Sequence, residues 1–231
     1  MSLPTVYWIN LERDISRRER TTKLLSDAGL DHYRFSAIDG SKNQSLVRLP
    51  LDHRRKDGEI GCLLSHLELI RFCYYETSHE MVLIAEDDIS FEMVRRYSNV
   101  TVNDKLIDMI RTVPVDWEII QLSWIVDKIA KITGSSDFID WIPCIYSTAG
   151  YLINRAGMEK ICQYWNGGQW VLDNDKGPLV ADSFIYRHAR TYVYRPPIVT
   201  YYIEGESGIG NNLKLHYKSK RIARTIARET F

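Results

Sequence analysis

The chain has 231 residues, 45% of them hydrophobic and 26% charged, with 30 Lys+Arg against 30 Asp+Glu. That length allows one large domain or two small ones, and the composition excludes a disordered chain. Zero net charge argues against a general nucleic-acid binder, and no apolar run approaches the about 18 residues of a membrane span.

The opening stretch, MSLPTVYWINLERD, lacks the basic start and apolar core of a signal peptide. The expected location is therefore cytoplasmic, or a secretory lumen if a leader has been removed. TVYWINL reads as the first strand, ending at the turn former Asn10. SRRERTTKLLSDAG reads as a helix with Ser16 as N-cap and Gly29 as its stop. HYRFSAIDG is a second strand closed by an Asp-Gly turn. Residues 41–58 show no period and read as a long exposed loop.

EIGCLLSHLELIRFCYYE is the clearest helix, with Ile60, Leu63, Leu64, Leu67 and Ile70 on one apolar face and Ser65 and His66 off it. The strand MVLIAE follows, then a helix near 104–112 and the strand WEIIQLS. STAGYLI is expected as a strand leading into a helix over 155–165, LVADSFIYRHAR as a helix and TYVYRPP as extended. Alternating strands and helices predict a single-domain α/β fold, a mostly parallel sheet flanked by helices. The domain is expected over residues 1–213, followed by a basic tail over 214–231. That tail reads as a solvated helix, with peripheral membrane or partner contact as the alternative.

The four cysteines, Cys62, Cys73, Cys144 and Cys162, form no CxxC pair and no zinc-type spacing. Cys62 and Cys73 share a predicted helix and stand roughly 16 Å apart along it, beyond the about 7 Å that a disulfide spans. All four are expected as buried free thiols of a reducing compartment.

MVLIAEDDIS sets three acids directly after a buried strand. In an open α/β sheet ligands bind beyond the carboxyl ends of the strands. Alternation along an extended backbone points Glu86 and Asp88 together and Asp87 away. Two carboxylates on one side suit Mg²⁺ or Mn²⁺, whose shell is completed by water and substrate phosphates. The alternative is a solvated strand end.

VYWINLERDISRRER, RFSAIDG, GEIGCLLSHLELI and MVLIAEDDISFE occur in this order at compact spacing. Together they resemble glycosyltransferase family 25, which includes lipooligosaccharide and collagen hydroxylysine galactosyltransferases. WEIIQLS, STAGYLINRAGMEKI and PLVADSFIYRH resemble its later segments, so the likeness covers roughly residues 5–210. It implies a GT-A fold, a UDP-sugar donor (usually UDP-galactose, otherwise UDP-glucose) and an inverting transfer assisted by Mn²⁺, with Mg²⁺ as substitute. The implied acceptor is a glycan or a hydroxylysine.

The family's acidic motif carries over to Glu86, Asp87 and Asp88, with Glu86 and Asp88 as metal ligands and Asp87 toward the donor. Its other motifs carry over to Asn10, Leu11 and Arg17, to Ala37, Asp39 and Gly40, and to Gly61, Ser65 and His66. From the residues themselves, Asp39 is a nucleotide contact or an ordinary turn residue. Arg13, Arg17 and Arg18 are phosphate contacts or solvated charges, and His66 is a donor contact or a packing residue. Gly61 allows close approach of a ligand or simply opens a helix.

An inverting transfer needs a base for the acceptor hydroxyl. Asp182 is the first candidate, an N-cap role being the alternative, and Glu204 and Glu206 come next. His216 is a candidate third metal ligand. Trp165 and Trp170 suit stacking on a sugar, or core packing. Two rival functions are a catalytically inactive nucleotide-sugar-binding module and a metal-dependent phosphohydrolase. The second lacks any DxDx[TV] motif.

Overall fold

The computed structural model describes residues 3–50, 56–172, 177–203 and 212–231. Strand β1 (Thr5–Asn10) is buried from Val6 onward. Helix α1 (Ile15–Asp27) starts ahead of Ser16, with Asp14 at the N-cap. The reason is local: Asp14 N–H donates to the Leu11 carbonyl at 3.0 Å, and that turn sets the first helical carbonyl. Gly29, at φ +66°, ends α1 as expected. Its N–H donates to Ser26 and that of Leu30 to Leu25, the paired bonds of a Schellman stop.

Strand β2 (His32–Ser36) is shorter than predicted. The expected long loop contains a strand, β3 (Val47–Arg48), before α2 (Asp57–Glu76) and β4 (Met81–Glu86). Next come β5 (Ile89–Ser90), α3 (Glu92–Tyr97) and α4 (Val102–Arg111). A reciprocal Thr101–Asp104 capping box starts α4. Strands β6 (Ile119–Gln121), β7 (Phe138–Asp140) and β8 (Gly150–Asn154) lead to α5 (Arg155–Cys162). The chain continues through β9 (Trp170–Val171), α6 (Ala181–Arg187), β10 (Thr191–Tyr194), β11 (Thr200–Tyr201) and α7 (Leu213–Thr230).

The main sheet has the order β2-β1-β4-β8-β6-β10-β7. Five of these seven strands run the same way, while β8 and β7 are antiparallel to their neighbours. The α/β expectation holds, and β8 is the departure that matters. Because β8 runs backwards beside β4, its start lies at the carboxyl end of β4, with Ala85 opposite Gly150.

Alternate side chains of each strand enter opposite layers. Tyr7, Ile9, Val82 and Ile84 pack against α2, whereas Val6, Trp8, Leu83 and Ala85 pack with α1 and α4. Helix α2 is buried almost all round, so Ser65 and His66 are buried although they lie off its apolar stripe, in keeping with the packing alternative for His66. The basic segment expected as a solvated tail is α7, and one stripe of it is closed off. Ile222, Ala223, Ile226 and Ala227 recur at helical spacing and pack on Met93, Trp124 and Val126. Ser219 fixes the contact by accepting the Val126 N–H at 3.0 Å. Among the described residues no helix is long and apolar enough to cross a membrane.

Candidate active site

The parallel strands β1, β2, β4 and β6 end at one edge of the sheet. A cleft of about 810 Å³ opens there. Its wall includes Asn10, Leu11, Arg17, Ala37, Asp39, Gly40, Gly61, Ser65, His66, Glu86, Asp87, Asp88 and His216, residues that sequence reasoning had scattered over five segments. A side pocket of about 240 Å³ adjoins it, lined by Asp182, Tyr146, Ser147 and Thr148. Glu86, Asp88, Cys62, Tyr201 and His216 line both spaces. Glu204 and Glu206 lie outside the described residues.

The three crowded acids have separate partners. Asp87 is buried, bonded by Asn10 Nδ2 at 2.7 Å and paired with Arg17 Nη1 at 2.7 Å. Its own backbone carbonyl accepts from Thr21 Oγ1 at 2.7 Å, one turn beyond Arg17 on α1. Burial raises the Asp87 pKa, and Asn10 and Arg17 only partly offset it. Glu86 accepts from Thr148 Oγ1 at 2.7 Å and has His66 Nε2 3.4 Å away. Burial works against its charge, but His66 and Thr148 outweigh that and hold its pKa low. Asp88 is the least satisfied: Arg17 reaches its Oδ2 at 3.5 Å, while Oδ1 is enclosed without a hydrogen-bond partner among the described residues. Burial, reinforced by the charge of Glu86, pushes its pKa up to about 7.

These observations bear on a divalent cation. An orphaned carboxylate oxygen on Asp88, with Glu86 beside the same cleft, fits a hard ion that leaves room for water and phosphate. Asp88 binds its proton more tightly folded than unfolded. Its contribution therefore favours the fold below the ordinary carboxylate range and is lost as pH rises through about 7. Above that, the enclosed anion works against folding, and a cation bound there would relieve it. Mn²⁺ is accordingly expected to raise the melting temperature more at about pH 8 than at about pH 6. Equal shifts at the two pH values would remove Asp88 from the cation's ligands.

Several predicted contact residues turn out to build the wall. Asn10 is 1% exposed and its amide oxygen is held by Arg18 and Arg34, so it acts through Asp87. Ser65 Oγ accepts the Ile38 N–H at 2.8 Å and donates to the Gly61 carbonyl at 2.6 Å. Gly61 and Gly40 allow close approach, but of one backbone to another. A Cβ on Gly40 would lie 2.0 Å from the Asp57 carbonyl, and one on Gly61 2.7 Å from that of Ile38. Asp39 stands beyond β2 in a turn held by Ser41, whose hydroxyl and N–H lower its pKa. Arg13 reaches it at 3.5 Å.

Asp182 lies in the first turn of α6, while Val180 is the N-cap. Its carboxylate accepts the N–H of Ser147 at 3.0 Å and of Ser183 at 2.6 Å. Burial raises its pKa despite those bonds. Ser147 has φ 103°, a conformation L-residues avoid. Gln121 Nε2 and Tyr186 Oη both donate to its carbonyl, which holds the strained turn in place.

His216 lines both spaces but packs edge-on against Tyr201, and burial lowers its pKa. Trp170 is fully buried with Nε1 bonded to Glu68 at 2.7 Å, and Trp165 packs against it beneath Arg71. Trp170 is thus a core residue, and Trp165 packs half-buried against it. Sequence reasoning missed Thr148 and Ser147. The signal was STAG itself, small polar residues at the start of a strand that proves antiparallel to β4.

Fold and cleft together define a single-domain α/β architecture of the GT-A type. A glycosyltransferase involved in glycosylation of the PBCV-1 major capsid superimposes on 96% of this chain and 98% of its own, with TM-score 0.52 and 11% identity. The sequence profile of glycosyltransferase family 25 (LPS biosynthesis protein) matches residues 3–176. The chain belongs to that family. It is 31% identical over 178 residues to a glycosyltransferase 25 family member of Anopheles gambiae, covering 70% of this chain and 29% of that protein. It is 26% identical over 184 residues to procollagen galactosyltransferase 2 of Homo sapiens, covering 70% and 28%. It thus spans less than a third of the length of these relatives.

Proposed function

We propose that this chain is an inverting, metal-assisted glycosyltransferase. It moves a hexose, galactose before glucose, from a UDP-sugar to a hydroxyl of a glycan or hydroxylysine. The observation that carries the reading is the meeting of two cavities at one acidic corner, where Glu86 and Asp88 stand in the wall common to both. A transfer between two bound molecules requires adjoining sites with the reacting atoms brought together at their junction. The galactosyltransferase name of a relative supports galactose as the sugar.

In this scheme the donor occupies the large cleft, its nucleoside toward Asp39 and its diphosphate toward Arg17. Arg17 is 35% exposed on its side chain, so it keeps a face toward the cleft while paired with Asp87 and Asp88. When bound, a divalent cation held by Glu86 and Asp88 supplies electrostatic stabilisation of the charge left on the departing diphosphate. The acceptor hydroxyl enters through the side pocket, and Asp182 takes its proton as it attacks the sugar from the face opposite the diphosphate. Burial suits Asp182 to that task, since a raised pKa makes its carboxylate a stronger base.

The test is a panel of UDP-sugars incubated with the protein and an acceptor mixture, with Mn²⁺ or with chelator, followed by UDP release. One sugar responding, and only with metal, is the expected result. Tight UDP binding with no turnover of any donor would instead favour an inactive binding module.

A further inference from the structure

We propose that Cys62, His66 and Glu86 form a binding site for a borderline-soft divalent cation of the Zn²⁺ class, distinct in its donor set from the Glu86–Asp88 pair and sharing only Glu86 with it. The Sγ of Cys62, a ring nitrogen of His66 and a carboxylate oxygen of Glu86 lie within 4.8 Å of one another. They form the one such three-residue group among the described residues, and Asp88 and His216 stand outside it.

Its construction follows from the secondary structure. Cys62 and His66 are four residues apart on α2, which stacks them on one face a turn apart. Glu86 arrives from the end of β4. No spacing in the sequence announces the group, because the third donor comes from another element.

His66 supplies the independent observation. It is 1% exposed, its Nδ1 is engaged with Tyr151 Oη at 3.1 Å, and its Nε2 has no hydrogen-bond partner in aligned geometry among the described residues. That nitrogen faces Glu86 Oε1 at 3.4 Å. A histidine with one nitrogen fixed by a neighbour and the other directed at further donors is how metal-ligating imidazoles are held.

Thiolate, imidazole and carboxylate together suit Zn²⁺ or Co²⁺, whereas Mn²⁺ and Mg²⁺ prefer oxygen. Three protein ligands leave a fourth position open. Cys62 and Glu86 line both the cleft and the side pocket, so a water or a substrate oxygen has access to it. On binding, the Cys62 thiol releases its proton to solvent. Occupancy also holds Glu86 away from the hard cation, which makes Zn²⁺ an antagonist of Mn²⁺. Only this last consequence rests on the transferase reading.

Cobalt provides a readout independent of activity. The full chain, reduced and metal-free, is titrated with Co²⁺. The expected result is a near-ultraviolet thiolate-to-cobalt absorption saturating at one ion per chain and bleached by one equivalent of Zn²⁺. Cys62→Ser should abolish the band, whereas Asp88→Asn should retain it. X-ray absorption of the zinc-loaded wild type should show a single sulfur among nitrogen and oxygen neighbours, a result that needs no variant to fold. Absence of the band, its survival in Cys62→Ser, or a sulfur-free zinc shell would each overturn the proposal. Metal-dependent UDP release without the band would sink this site alone. The band without turnover of any donor would sink the transferase reading alone.

Discussion

Glu86→Gln combined with Asp88→Asn is expected to abolish Mn²⁺-dependent UDP binding while the protein still folds. The loss should exceed the about 10–100-fold that removal of a mere supporting partner costs a metal site, because both proposed anionic ligands disappear together. Folding should survive for reasons visible in the wall. The amide oxygen introduced by Glu86→Gln can still accept the hydroxyl of Thr148, which bonds to Glu86 at 2.7 Å. Loss of the Asp88 charge removes an enclosed anion whose Oδ1 lacks a hydrogen-bond partner among the described residues. Asp87, which ties the turn to Asn10 and Arg17, is untouched. Calorimetric titration of UDP with Mn²⁺ and with chelator, alongside a thermal melt, checks both halves. Metal-dependent binding retained in the double variant would displace the cation from this corner.

Asp182→Asn should lower the transfer rate by about 100- to 10,000-fold, the span usual for loss of a general base, with little change in KM for the donor. The separation matters because Asp182 lines the side pocket and not the large cleft. The substitution also has a structural side, since the carboxylate accepts the N–H of Ser147 and of Ser183. An amide retains only one acceptor oxygen, so some loosening of the strained Ser147 turn will accompany it. The pH profile distinguishes the two effects. Burial raises the Asp182 pKa, so the acidic limb of the wild-type rate should lie above the ordinary carboxylate range, and activity should fall as pH drops through it. At saturating Mn²⁺, which keeps Asp88 ionised, a proton-accepting role predicts that this limb vanishes in Asp182→Asn. A scaled-down profile with the limb intact would make Asp182 a positioning residue only.

Much of this site could be read from the chain before its structure, and the reasons differ by element. MVLIAE followed by two further acids is legible because a fully buried strand is a continuous apolar run, and charge at its end marks the sheet edge. Gly29 is legible because a helix stop requires its positive φ. The reversal of β8 is not. The segment between β6 and β8 carries no long helix that would betray a crossover, and strand direction leaves no trace in five residues such as GYLIN. Thr148, brought to Glu86 by that reversal, was lost with it.

Two- and three-residue strands such as β5 and β7 are too short to show a period. Ser65 and His66 lie off the apolar stripe legible in the sequence and are buried all the same, for another reason. Helix α2 has neighbours on nearly every side, so its polar positions are not its exposed ones. Gly40 and Gly61 announce a close approach but not what approaches; only the fold shows that it is the Asp57 and Ile38 carbonyls.

The hydrogen bonds around the acidic turn join residues far apart in the chain: Asn10 to Asp87, Thr21 to the Asp87 carbonyl, Thr148 to Glu86, and the N–H of Tyr202 to Asp88. Every one closes a long stretch of polypeptide, so the corner assembles only after most of the chain entropy has been surrendered. On the proposed function, affinity for a cation therefore belongs to the finished molecule. A nascent or half-collapsed chain has no such corner, and tight metal binding would then be a fingerprint of complete folding.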